Sequence, residues 1–72
     1  MKNNLRRLNR IVKLFPENAF YTCSITDYGV TLQGKFNPQI ILKAQELRFT
    51  GLIMANGYMQ WIRGCYSITL TD

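Results

Sequence analysis

The chain has 72 residues, 47% of them hydrophobic, with four Phe, four Tyr and one Trp; it is too short for more than one domain and too apolar to stay disordered. The net charge is +5 and there is no histidine, which points to an anionic partner and removes the commonest general base and a usual zinc ligand. No apolar run approaches the roughly 18 residues of a membrane span, and the N-terminus lacks the apolar core and small-residue cleavage site of a secretory signal, so a cytoplasmic protein without membrane attachment is expected.

The charge is segregated. Met1 to Pro16 holds Lys2, Arg6, Arg7, Arg10 and Lys13 without an acid, which accounts for the whole +5. From Glu17 onward, Lys35, Lys43, Arg48 and Arg63 are balanced by Glu17, Asp27, Glu46 and Asp72. Residues 1–72 are therefore read as a single domain, a basic amphipathic helix over 1–16 joined to a neutral α+β body over 17–72.

Asn3 or Asn4 is placed to cap a first helix that runs to about Phe15, where Pro16 stops it. Leu5, Leu8, Ile11, Val12 and Phe15 form its apolar stripe, and Arg6, Arg10 and Lys13 line an adjacent face. Such a helix either packs with its basic face solvated or presents that face to nucleic acid.

Ala19 to Thr26 alternates as a half-buried strand, with Ala19, Tyr21, Cys23 and Ile25 on the apolar side. Asp27-Tyr28-Gly29 makes a hairpin turn into a second strand, Val30 to Gln33. Asn37-Pro38 is a cap followed by proline at the first helical position, so a helix over Pro38 to Leu47 is predicted, with Ile40, Ile41, Ala44 and Leu47 on one stripe. Three closing strands follow: Phe49 to Met54, Tyr58 to Ile62 and Cys65 to Thr71, with Ala55-Asn56-Gly57 and Arg63-Gly64 as turns. Gly51 marks a bulge or frayed edge in the first of them. The order is α-β-β-α-β-β-β, a small antiparallel sheet of four to five strands with one helix packed across it and an N-terminal amphipathic helix.

Thr22, Ser24 and Thr26, Thr31 and Gln33, and Ser67, Thr69 and Thr71 share a phase, so one sheet face is hydroxyl-lined and either solvated or a platform. Trp61 alternates with Met59 and is assigned to the core. Phe20, Tyr28 and Tyr58 are candidates to stack on bases. Cys23 and Cys65 belong to no CxxC pair and are expected as buried free thiols, with no metal or cofactor.

Catalysis has no visible constellation: the acids are scattered, neither cysteine has an identifiable base, and the glycines fall singly at turns. A non-enzymatic binding protein is expected instead. Its candidate binding residues are Lys2, Arg6, Arg7, Arg10 and Lys13, suited to phosphates, with Tyr58 and Arg63 as anchors near a hairpin. The partner is a protein or ribonucleoprotein, or nucleic acid directly. A chain this short buries only about 60% of its unfolded surface, so a homodimer is also a reasonable expectation.

The size, the basic start and the segments VTLQGKF, NPQII and YSITLT resemble the small single-domain proteins of phages and mobile elements that block host defence, the anti-CRISPR proteins among them. That resemblance implies stoichiometric inhibition by occupying a nuclease or its nucleic-acid groove, often as a dimer. Many such inhibitors are acidic nucleic-acid mimics, and this chain is basic. An inhibitor of this composition would bind an acidic surface, a guide RNA or the target nucleic acid.

Overall fold

The computed structural model describes residues 2–55 and 57–72, the side chains of residues 2, 3 and 52–54 excepted. Its elements are α1 (Lys2–Val12), β1 (Thr22–Thr26), β2 (Gly29–Lys35), α2 (Pro38–Glu46), β3 (Thr50–Ala55), β4 (Tyr58–Arg63) and β5 (Tyr66–Thr71). The five strands form one sheet in the order β1-β2-β5-β4-β3. This is the α+β arrangement that the alternation patterns predict.

Three of the four pairings are antiparallel, and one is not: β2 and β5 run parallel, with Leu32 beside Ile68. The sheet is therefore mixed. It joins a hairpin to a three-strand meander, and α2 carries the chain from β2 to the far edge, where β3 begins. β5, the strand with the cleanest alternation, takes the centre. β3 takes the edge, and its ladder to β4 shifts register between Gly51 and Ile53, as a strand glycine predicts.

Among the described residues, the buried side chains of the sheet share one phase. Leu32, Ile68 and Trp61 make a row across three strands, with Val30 and Leu70 on the same side, and Ile40, Ala44, Phe49, Ile11 and Phe15 close over them. Both helices therefore cover the same face. The residue at the centre of this layer, Ile68, is fully buried. Trp61 is 6% exposed, and its indole Nε1 meets no acceptor among the described residues.

α2 begins as the sequence reads: the Asn37 side chain accepts from the Gln39 N–H at 2.9 Å and Pro38 opens the first turn. Its other end carries a less expected feature. Arg48 has φ of 66°, with its N–H on the Gln45 carbonyl and the Phe49 N–H on the Ala44 carbonyl, the double bond of a Schellman cap whose left-handed position usually belongs to glycine. Arg48 is exposed, so its side chain contributes no packing. Arg48→Gly is expected to raise stability by about 0.5–1 kcal/mol, read as a higher urea midpoint with an unchanged slope; a lower midpoint would mean that the arginine side chain holds something.

Four local expectations are corrected. Asn3 and Asn4 lie inside α1 rather than capping it: Asn4 is buried, its Nδ2 donates to the Thr26 carbonyl at 3.1 Å, and its Oδ1 accepts from Arg7. A buried amide satisfied in this way ties α1 to the end of β1. The helix ends at Val12, and Leu14 and Phe15 tighten into i→i+3 turns before Pro16, which disfavours helical backbone at the residue before it. Tyr21 departs from the alternation, because its N–H bonds the Gln33 carbonyl although Gln33 already faces Thr22. This two-against-one bulge turns Tyr21 to the hydroxyl side, where its OH stands 3.3 Å from Thr71 Oγ1.

The fourth concerns the thiols. Both are free, as expected, but Cys23 is exposed and Cys65 half-buried. Cys23 does point to the helix side, opposite Leu32; β1 is an edge strand, and nothing there covers it fully. Partial burial still pushes the Cys23 thiol up, which favours the protonated form. Cys65 lies in the β4–β5 turn rather than in a strand.

Candidate functional site

The buried stripe of α1 is Asn4 and Ile11 with half-buried Leu8, continued by Phe15 in the turn that follows, and the helical period places Arg6 and Arg10, with Lys13 just past the end, on the far side of it. These three are exposed, and with Asn9 and Leu14 they line a groove of about 480 Å³. A second groove, of about 370 Å³, adjoins it: Arg10, Ile11 and Leu14 form one wall, and Arg63, Gly64, Cys65 and Tyr66 of the β4–β5 turn form the other. Arg63 thus joins the helix cations across more than fifty residues of sequence. The cause is tertiary. α1 lies over the β1–β2 side of the sheet, and β5, paired with β2, brings the β4–β5 turn alongside it.

Among the described residues no carboxylate lines either groove. Among the described residues the single salt bridge is Lys43 to Glu46 at 2.8 Å, on α2. The charge segregation seen in the sequence therefore persists in space, and Arg6, Arg10, Lys13 and Arg63 form a ridge of one sign. Exposed Leu14 lines both grooves as an apolar strip among the cations.

The other candidate residues fall elsewhere. Arg7 turns to the other side of Arg10, where its Nη1 donates to Asn4 Oδ1 at 2.8 Å. The Lys2 side chain lies outside the described set. Tyr58 and Arg63 occupy opposite ends of β4, opposite Thr71 and Tyr66 respectively, and a strand of that length separates them by about 16 Å. They are two separate points on the surface. Tyr58 faces the hydroxyl side and Arg63 the helix side.

The hydroxyl face is as regular as the alternation predicts. Thr22, Gln33, Thr69 and Gln60 make one row and Ser24, Thr31, Ser67 and Ile62 the next. Gln60 Nε2 donates to Ser67 Oγ at 3.3 Å. Neither helix covers this side. Of the aromatic candidates, Tyr28 is 92% exposed at the β1–β2 turn, while Phe20 packs edge-on against Phe15 with centroids 5.1 Å apart and is not free to stack.

Among the described residues no helix is long and apolar enough to cross a membrane. Comparison with protein-family models, with curated proteins and with solved structures finds no match. The reading of function rests on the geometry.

Proposed function

We infer that this is a non-enzymatic binding protein that acts by stoichiometric association, and that the ridge of Arg6, Arg10, Lys13 and Arg63 is where it grips the phosphate backbone of a nucleic acid. The observation that carries the reading is the approach of Arg63 to Arg10 with no acid in either groove. A cluster of cations drawn from two elements and left unneutralised costs self-repulsion unless an anion offsets it. Arginine forks suit phosphate oxygens. Contacts of this kind position a nucleic acid without reading its bases.

In the setting that the phage-protein resemblance implies, the ligand is the RNA or target strand of a host ribonucleoprotein, and binding there inhibits it. A second reading places an acidic protein surface in the same groove. Leu14 favours it, because an apolar strip between cations suits a mixed protein surface better than a phosphate chain.

Salt titration of binding to short DNA and RNA duplexes and single strands decides between them. The expected result is affinity that falls steeply with salt, with the slope of log K against log salt flattening by about 0.9 for each duplex phosphate that a variant no longer neutralises. Arg63→Ala should flatten it as much as Arg10→Ala does. Binding with no salt dependence, or a slope indifferent to Arg10 and Arg63 together, would remove the nucleic-acid reading and leave the protein one.

A further inference from the structure

The two edges of the sheet differ. β3 carries a register shift that breaks its ladder, whereas β1 has no charge and no proline from Thr22 to Thr26 and its bulge is confined to its start, where Tyr21 and Thr22 both face Gln33, so from Cys23 onward the usual protections of an open edge are missing. The β1–β2 turn holds two residues, so Thr26 and Gly29 form a hydrogen-bonded pair, and alternation makes Ser24–Thr31 and Thr22–Gln33 the next ones. Cys23 and Ile25 therefore turn their backbone N–H and C=O groups outward, unpaired.

A separate observation lies on α1. Leu5 and Val12 share a stripe and are 52% and 36% exposed. Val12 shares a groove of about 450 Å³ with Phe15, Phe20 and Cys23, while the opposite flank of α1, Arg10 and Leu14, faces Arg63. The Leu5–Val12 stripe thus looks out over the bare edge. α1 runs along that edge, with Asn4 at the Thr26 end and Val12 at the Cys23 end.

We propose that a second copy of this chain docks here, its β1 antiparallel to this one about a two-fold axis at Ser24, with the two α1 helices packed above it through Leu5 and Val12. In this register Cys23 exchanges both backbone hydrogen bonds with Ile25 of the partner subunit, and symmetry repeats the exchange. Thr22 meets Thr26 of the partner subunit, and Ser24 meets its own copy. The strand is self-complementary because it is neutral and its side chains pair like with like.

The helix layer fits the same axis. α1 packs on both β1 and β2, so its axis stands about half a strand spacing inside the edge; with paired strands about 4.8 Å apart, the two helices come to about 10 Å, the spacing of packed helices. The axis at Ser24 falls midway between Leu5 and Val12, so Leu5 of each copy meets Val12 of the other. Arg6 and Arg10 lie away from the stripe on the solvent side, and Lys13, which shares the Val12 groove, has Glu17 in that groove with it. The pair doubles the basic ridge on one face but does not depend on what that ridge binds.

Light scattering on the wild-type chain over a dilution series is expected to give a mass twice the 8.4 kDa of the chain, dropping to that of the monomer for Val12→Glu and for Cys23→Lys. Both positions are exposed, so circular dichroism should show the fold retained. The register is tested by crosslinking in a Cys23→Ser, Cys65→Ser background. Ser24→Cys sits at a close, non-hydrogen-bonded pair and should give a covalent dimer on mild oxidation, whereas Thr22→Cys, facing a threonine, should not. A monomer at every concentration, a dimer that persists in both charge variants, or equal crosslinking of the two cysteine variants would overturn the proposal. None of these outcomes bears on the salt titration, which reads the ridge separately.

Discussion

Gly29→Ala is expected to cost on the order of 4 kcal/mol, enough to unfold most of a domain of this size at modest temperature. A Cβ at Gly29 would stand 2.1 Å from the Cys65 carbonyl oxygen and 2.8 Å from the Cys65 Cβ, and the backbone there holds φ at 148°. Either alone would strain the site. The consequence spreads because the same carbonyl accepts the Val30 N–H at 2.9 Å, just where the parallel pairing of β2 with β5 begins. Displacing it loosens the one joint between the hairpin and the meander. Gly64 makes the control: its φ is 57° and nothing lies within 4 Å of an added Cβ, so Gly64→Ala should cost only about 1 kcal/mol. Urea unfolding of the two variants measures the difference; equal costs would show that the clash with Cys65 is relieved by a small backbone shift.

Ile68→Ala is expected to cost about 3–5 kcal/mol, and Thr69→Ala, its neighbour in the same strand, within about 1 kcal/mol. Ile68 is fully buried between Leu32 and Trp61 with both helices above it, so truncation leaves a cavity in the thickest part of the core. Thr69 is half-buried among Gln33 and Gln60 on the side without helices, where solvent can take the place of the missing side chain. The contrast tests the one-sided layer directly. Comparable losses at the two positions, measured as urea midpoints at equal slope, would mean that the hydroxyl face is covered in solution, as a platform for another chain would be. In that case the dimer argued at β1 would have a competing surface.

The two effects differ in how far they could be read in advance. That Ile68 and Thr69 lie on opposite faces, Ile68 on the apolar one, follows from alternation alone, since Tyr66, Ile68 and Leu70 can only point together. That Gly29 is critical does not. A glycine after Asp27-Tyr28 reads as a turn residue, and its closeness to Cys65 exists only because β5 lies beside β2.

The same division runs through the candidate site. Segregated charge and the amphipathic period of α1 were legible, because both depend on residues within a few turns of one another. The start of α2 at Asn37-Pro38 was legible for the same reason, as a cap acts on the N–H groups next to it. The Tyr21 bulge and the exposure of Cys23 were not, since each depends on where β1 stands in the sheet. Alternation assigns a side chain to a face, but strand order decides whether anything covers that face.

Arg63 is the clearest case. By sequence it is, like Tyr58, an anchor near a hairpin, and the structure delivers it to α1. No local signal carries that information. The sequence by itself determined the order of the elements, the faces of the regular strands and the sign of the charge, because propensity, period and capping act over a few residues. The parallel joint between β2 and β5, the side on which both helices lie and the meeting of Arg10 with Arg63 were decided by the tertiary structure, where burying one continuous apolar face chooses among orders that leave every local pattern equally satisfied.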